Sequence, residues 1–564
     1  MSKDIHKIDI PKIKNFKQFS NSVDYSFMDS LNRDPQATED GNDHKPREVF
    51  SGHYVPVTPT LIDSPIFIAY SKSLFEELGL SQELLNDDKF SKLFSGDISV
   101  VKKPMRPYGW ATGYALSIYG TEYTYQCPFK TGNGYGDGRA ISVFEGVLKG
   151  KRWEMQLKGG GPTPYCRGGD GRAVLRSSIR EFLAQEFMHA LGVPSSRSLT
   201  LYSSMNETVS RPWYRKNSSS YDPDILIENP VAIATRVAPS FLRIGQLELF
   251  ARRARTKSNY ESEKELELLV KHLIFRDYKD EIDSHLPFTD QILLLASSYQ
   301  KRFTSLVANW IRVGYCQGNF NSDNCSTAGI TLDYGPFGFC ELFDPGFQPW
   351  TGGGEHFSFL NQPRAAQSNF DMFCSSLLPL LKNSKSIEKL DEIKSDFKYL
   401  MNKKVENIWS EKIGLEKYDR QLVNELLSLM SLSKIDFTIF FRSLSEIPNE
   451  ISVLKKSFYQ PISREIEFRW SRWLNNWINS INYDNKYQIS KIMKLVNPKY
   501  TWREWLVRPV YEAAEMGDFS GIIELQNLFK DPYAEKIEFN KKFNSLRPNE
   551  YSNMEGISHY SCSS

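Results

Sequence analysis

One stretch limits the possible folds more than any other: WEMQLKGGGPTPYCRGGDGRAVLRSSIREFLAQEFMHALG, Trp153 to Gly192. Trp153, Met155 and Leu157 alternate with Glu154, Gln156 and Lys158, the period of a half-buried strand that closes at Lys158. The run GGGPTPYCRGGDG, Gly159 to Gly171, cannot hold regular structure but can bring backbone amides close to a ligand. A helix follows, with Asp170 as its cap and Val174, Leu175, Ile179, Phe182, Leu183 and Phe187 as its apolar face, until Gly192 and Pro194 stop it.

This unit puts a lysine at the end of a strand and Glu181 two turns into the next helix, the two parts that hold nucleotide phosphates in a kinase-like site. The competing reading leaves Lys158 solvated and pairs Glu181 with Arg180 or Gln185. Glycine favours the first. The string GDGRA occurs at 136–140 and again at 169–173, so two flexible turns, each followed by an arginine, flank Lys158 and suit an anionic phosphate chain. Further on, a strand NPVAIATRVA carries Arg236, and Arg243 follows seven residues later. Their planar forks can clamp phosphate oxygens or serve as structural ion pairs. The segment GNFNSDNCSTAGITLDYGPFGF then sets Asp323 and Asn324 in a polar loop, a short strand at Ile330 to Leu332, and Asp333 before Tyr334 and Gly335. An acid and an amide, a strand, and a second acid reproduce the order in which kinases place a base and two magnesium ligands. An Asx-rich turn followed by a hairpin is the alternative.

The rest of the composition excludes more than it identifies. Lys plus Arg is 70 and Asp plus Glu is 68, a balance that gives no reason to expect nucleic acid as a partner. The seven cysteines form no C-x-x-C pair and no zinc spacing, which suits a reducing compartment. No apolar run approaches the roughly 18 residues of a membrane span. The opening MSKDIHKIDIPKIKNF has neither the apolar core of a secretory signal nor the composition of a transit peptide. Residues 1–49 read as a polar arm that Phe16 and Phe19 anchor. From 50 to 245 the chain is mainly α/β, with a capped helix over Ser71 to Leu85, and strands in PSSRSLTLYSS and in ETVSRPWYRK. Residues 246–547 are mainly helical, FRWSRWLNNW included, and 548–564 form a mobile tail.

At this point the chain resembles the selenoprotein O family, also called YdiU, of kinase-like protein adenylyltransferases. The strings that carry the resemblance are YGDGRA, QLKGGGPTPYCRGGDGRAVLRSSIREFLAQE, ATRVAPSFLRIG, NFNSDN, LDYGPFGF, FDPGF, NPKYTWREWL and the terminal SCSS. The resemblance implies an α+β, protein-kinase-like two-lobed fold, with the arm and extra C-terminal helices added. It implies transfer of AMP from ATP to Ser, Thr or Tyr hydroxyls of protein substrates, with pyrophosphate released. Carried over residue by residue, Lys158 contacts phosphate and Glu181 orients it, while Gly136, Gly138, Arg139, Asp170, Gly171, Arg236 and Arg243 line the nucleotide. Asp323 is then the general base, Asn324 and Asp333 hold Mg²⁺, with Mn²⁺ as a second candidate, and Cys562 is a redox group. A eukaryotic member would be mitochondrial and others cytoplasmic.

The sequence departs from the family in three places. YALSIYG at 114–120 replaces a GHQFG-type segment, Gln317 stands where a histidine is usual, and Gln348, Pro349 and Trp350 follow Phe347 where bacterial members carry a cysteine. Cys340 lies nearby, and the partner of Cys562 stays open. Uridylyl transfer from UTP is the nearest alternative activity. A nucleotide-binding pseudokinase or redox-responsive interaction protein is the alternative of another class.

Overall fold

The structure is a computed structural model that describes residues 12–112, 138–166, 169–215, 218, 220, 222–258 and 260–551. Gly136, Cys562 and the segment 114–120 lie outside the described residues.

Its centre is an antiparallel eight-stranded sheet. The strands are β1 (Tyr54–Val57), β2 (Ile66–Tyr70), β3 (Gly109–Thr112), β4 (Ala140–Leu148), β5 (Lys151–Lys158), β6 (Ala173–Val174), β7 (Arg197–Trp213) and β8 (Ile225–Ala238). They run in the order β1-β3-β4-β5-β8-β7-β2, with β6 added against β8. Lys149 and Gly150, both at positive φ (48° and 75°), make the tight turn that folds β4 back as β5.

Helices cover both faces. On one face Trp153, Met155 and Leu157 join a core with Phe19 of α1 (Phe16–Ser20) and with residues of α3 (Lys72–Leu78) and α4 (Asp88–Phe94). The opposite face packs against α2 (Ser26–Ser30), α5 (Leu175–Ala190), α6 (Ile244–Thr256), α7 (Ser262–Asp277) and α8 (Phe288–Val313). The described part of the N-terminal arm is thus held in the body: Phe16, Phe19, Phe27 and Met28 are buried, and Phe19 stacks on Phe144 at 4.5 Å. The helical remainder bears out the reading of FRWSRWLNNW. Trp470, Trp473 and Trp477 are buried, and their indole N–H groups donate to Ser433 Oγ, Leu422 O and Ile413 O at 2.8, 2.9 and 2.7 Å. Among the described residues no helix is long and apolar enough to cross a membrane.

Local signals misled in several places, each time because tertiary pairing or a single glycine decided the outcome. β5 is buried on both faces from Trp153 onward instead of half-buried, because its polar side chains pair with buried groups of other elements, Lys158 with Glu181 of α5 and Glu154 with Arg276 of α7. Asp170 does not cap α5. Ala173 and Val174 pair with Ala232 and Val231, so the chain stays extended until the helix starts at Leu175, and Asp170 Oδ1 accepts from Arg172 N at 2.8 Å. The helix expected to Leu85 stops at Leu78, where Gly79 takes a left-handed φ of 73°, and a 3-10 turn over Gln82–Asn86 replaces the rest. PSSRSLTLYSS and ETVSRPWYRK contribute to one long strand, β7, with register shifts against β8 at Ser198/Leu201 and Ser204/Thr208. Ile330 to Leu332 is not a ladder strand; Thr331 makes only isolated bridges, to Ser195 and Cys325.

Candidate nucleotide site

The strand register builds the site. Gln156 faces Arg236, Lys158 faces Ala234, and side chains alternate along a strand, so Lys158 and Arg236 emerge on the same face, beneath α5. Glu181 on α5 takes both cations. Lys158 Nζ lies 2.8 Å from Glu181 Oε2, and Arg236 Nε donates to Glu181 Oε1. Arg236 continues the chain of contacts, its Nη2 donating to Asp333 Oδ2 at 3.0 Å. Lys158, Glu181, Arg236 and Asp333 are only 6%, 1%, 0% and 7% exposed, a burial that charged groups tolerate only when paired. The competing partners of Glu181 are engaged elsewhere: Arg180 pairs with Glu504 at 2.5 Å, and Gln185 donates to Ser196 Oγ at 2.9 Å. Arg236 thus makes ion pairs with both acids.

The two GDGRA copies meet at the residue after Lys158. Gly159 N donates to Arg139 O at 3.1 Å, and Arg172 Nη1 donates to Gly159 O at 3.4 Å, so the arginines of both copies bracket Gly159. Each copy then enters a strand, at Ala140 and at Ala173. Glycine is required at the equivalent third positions. A Cβ on Gly138 would stand 2.2 Å from Tyr165 O, and one on Gly171, at φ 70°, would stand 2.0 Å from Gly161 O. Asp170 is half-exposed and grips Arg211, with Arg211 Nη2 donating to Oδ1 at 2.6 Å and Nη1 to Oδ2 at 2.9 Å. Burial works against the ionised carboxylate, but Arg211 and the Arg172 amide outweigh it and hold the group below its ordinary range.

Asp323 and Asn324 occupy a short 3-10 turn, Ser322–Asn324, that follows β9 (Tyr315–Gln317) and precedes β10 (Phe337–Phe339). Asp323 is buried. Asn324 Nδ2 donates to Asn319 O at 3.0 Å, and among the described residues no donor is bonded to its amide oxygen. Gln317, where the family pattern has histidine, ties this turn to the second acid. Its Nε2 lies 3.3 Å from both Asn319 O and Asp333 O, and its backbone N donates to Gln362 Oε1 at 2.8 Å. Arg243 enters through its backbone: it forms a bridge with Ser326 just past the turn, and its N donates to Gln246 Oε1 at 2.9 Å at the start of α6. Gln317, Asn319 and Arg211 had no local signal of their roles beyond the departure at Gln317.

The oxygen set suits a hard cation. Asp333 offers a carboxylate whose Oδ1 accepts from Gly335 N at 2.9 Å, and Asn324 offers an amide oxygen, the few protein donors that Mg²⁺ uses when substrate phosphates and water complete its shell. Among the described residues no group of three His, Cys, Asp or Glu could cage a metal alone. Cys340 is buried, and burial pushes its thiol well above the ordinary range.

A strand lysine held by a helix glutamate, glycine turns on both sides and an Asp/Asn turn tied to a second acid define a class, the nucleotide-handling transferases. The profile of the family described as "Protein adenylyltransferase SelO" matches residues 43–530. Relatives named protein nucleotidyltransferase YdiU match almost end to end: 33% identity with that of Aromatoleum aromaticum over 96% of this chain and 99% of the relative, 32% with that of Flavobacterium johnsoniae over 96% and 99%, and 31% with that of Rhodopirellula baltica over 96% and 100%. The chain belongs to the SelO family, and its class of activity is nucleotidyl transfer, which takes a nucleotide as co-substrate.

Proposed function

We propose that this protein transfers AMP from ATP to Ser, Thr or Tyr hydroxyls of other proteins, within a two-lobed, protein-kinase-like fold whose lobes divide near residue 245. The observation that carries the proposal is the continuous contact from Lys158 through Glu181 and Arg236 to Asp333, which joins the sheet, its covering helix and the loop after β9 in the order that phosphoryl-group chemistry needs.

In this reading the acceptor oxygen attacks the α-phosphorus, the bond from that phosphorus to the bridging oxygen of pyrophosphate breaks, and the leaving pyrophosphate takes the electron pair. Asp323 takes the hydroxyl proton. Lys158, held by Glu181, neutralises a phosphate oxygen, and Arg236 fixes Asp333 in place. Gly138 and Gly171, where the turns close on the backbone of Tyr165 and Gly161, line the nucleotide together with Gly136, Arg139, Asp170, Arg236 and Arg243. Asn324 and Asp333 would hold Mg²⁺, which when bound neutralises charge on the phosphates. Cys562 is kept as the redox-responsive group.

The test is label position. The purified chain is incubated with a protein acceptor and Mg²⁺, separately with α-labelled ATP, α-labelled UTP and γ-labelled ATP, beside Asp333→Ala. Label from α-labelled ATP that Asp333→Ala abolishes is the expected result. Label from UTP makes the enzyme a uridylyltransferase, and label from γ-labelled ATP alone makes it a kinase. Silence from every donor, in both reducing and oxidising buffer, moves the reading to a nucleotide-binding interaction protein.

A further inference from the structure

Beyond Ser204 the β7–β8 hairpin leaves the sheet: among the described residues Thr208 to Trp213 pair only with Pro230 to Ile225, as a two-stranded ribbon that begins at the register shift between Ser204 and Thr208. Such a shift bends a ribbon. Here it brings the ribbon over the second glycine turn: on one face of β7, Glu207 and Arg211 engage the turn and Trp213 engages the start of α5. Arg172 Nε donates to Glu207 Oε1 at 2.7 Å, Arg211 forks onto Asp170, and the guanidinium of Arg176 sits over the Trp213 ring at 4.1 Å. Arg211 Nη2 also reaches Arg172 O at 3.2 Å, so this one side chain touches both the acid and the backbone of the turn.

The hydrogen-bond inventory of Asp170 shows what the contact leaves open. A carboxylate offers two acceptor directions on each oxygen. Oδ1 receives Arg172 N and Arg211 Nη2, while among the described residues Oδ2 receives only Arg211 Nη1. One direction on Oδ2 remains, on a side chain that is 40% exposed. Lysine could not fix that direction, because it lacks the planar fork that sets both oxygens at once.

We infer that Arg211 is a positioning residue for nucleotide recognition: from the ribbon it holds Asp170 so that Oδ2 presents one acceptor to a hydrogen-bond donor of the nucleoside, either a ribose hydroxyl or an exocyclic amine. The inference rests on the placement of Asp170 in the nucleotide site proposed above. It makes the ribbon a part of donor selection instead of a surface ornament.

The test uses the full chain and reads ATP affinity by calorimetry together with KM and kcat for transfer from α-labelled ATP. Arg211→Ala is expected to weaken ATP binding and raise KM about tenfold, the worth of one charge-assisted hydrogen bond, with kcat within about twofold. Arg211→Lys is expected to fall between the two. In an Asp170→Ala background the same substitution is expected to add less than about twofold, a coupling that general loosening of the fold would not produce. Melting temperatures of all variants identify any that fail to fold. Binding of 2′-deoxy-ATP, 3′-deoxy-ATP and inosine triphosphate assigns the donor: the analogue that lacks it loses its sensitivity to Arg211→Ala. Unchanged affinity in Arg211→Ala, effects that multiply in the double variant, or equal sensitivity of all three analogues overturns the inference. Absence of transfer by the wild-type chain, with the affinity pattern intact, sinks the transferase reading and leaves Arg211 in its role.

Discussion

One face of β5 carries two buried ionic clusters, one at Lys158 and one at Glu154, four residues and about 13 Å apart along the strand. Both are built on an arginine that grips two carboxylates. Arg236 lies between Glu181 and Asp333, and Arg276 lies between Glu145 and Glu154. Their surroundings differ. Glu145 also accepts from Phe27 N at 2.9 Å and from Arg152 at 3.0 Å, and Glu154 accepts from Ser142 Oγ at 2.6 Å, so this cluster fastens α2, β4 and β5 to α7. The Lys158 cluster stands beside glycine turns whose backbone no Cβ could share, and its far end is a carboxylate next to an Asp/Asn turn. An ion pair is silent about purpose. What separates the two clusters is the far end: the Lys158 cluster ends on Asp333 beside the Asp/Asn turn, whereas both acids of the other cluster are tied to neighbouring elements.

Matched removal of one cation from each cluster tests that distinction. Lys158→Met is expected to cut nucleotidyl transfer about 10³-fold, as loss of a charge that stabilises the transition state does, while the melting temperature stays near wild type because Arg236 still pairs Glu181. Transfer within tenfold of wild type would make Lys158 a second fastening. Arg276→Met is expected to do the opposite. It strands Glu154 in the interior and leaves Glu145 to Arg152 alone, and should cost about 3–5 kcal/mol in urea denaturation, with kcat preserved below the transition. A stable Arg276→Met protein with lost activity would erase the contrast between the two clusters.

The sequence made the first cluster half legible and hid the second. The pairing of Lys158 with Glu181 could be foreseen because strand period, glycine run and helix period fix their spacing locally, and Asn324 and Asp333 were singled out by their order along the chain. Arg236 could be seen but its partner could not, since a strand arginine does not say which acid it faces; the register with Gln156 and the approach of Asp333 decided that. Glu145 and Arg276 are 131 residues apart, on a strand and an amphipathic helix, and nothing near either one announces the other. Arg211 was hidden for a related reason: its reach to Asp170 depends on where β7 bends. Asp170 misled outright, because a cap is a local signal and the pairing of Ala173 and Val174 with β8 overrode it.

The smallest expected effect gives the finest test, and it is one of pH. Burial, opposed by Arg276 and helped by Glu145, pushes Glu154 up to about 7 from its ordinary 4.5. The folded chain therefore keeps a proton that the unfolded chain has already released between those two values. Unfolding releases it, so this group's contribution to stability is full below pH 4.5, falls as pH rises, and levels off above 7. Glu154→Gln removes the slope without removing the side chain's bulk or its acceptor toward Ser142. Between pH 5 and pH 8 the stability of Glu154→Gln should gain about 2–3 kcal/mol on wild type, measured by urea denaturation at each pH. Parallel stability curves would mean that Glu154 is ionised throughout, held by Arg276 as Glu181 is held by Lys158 and Arg236, and the two ends of β5 would then be the same device used twice.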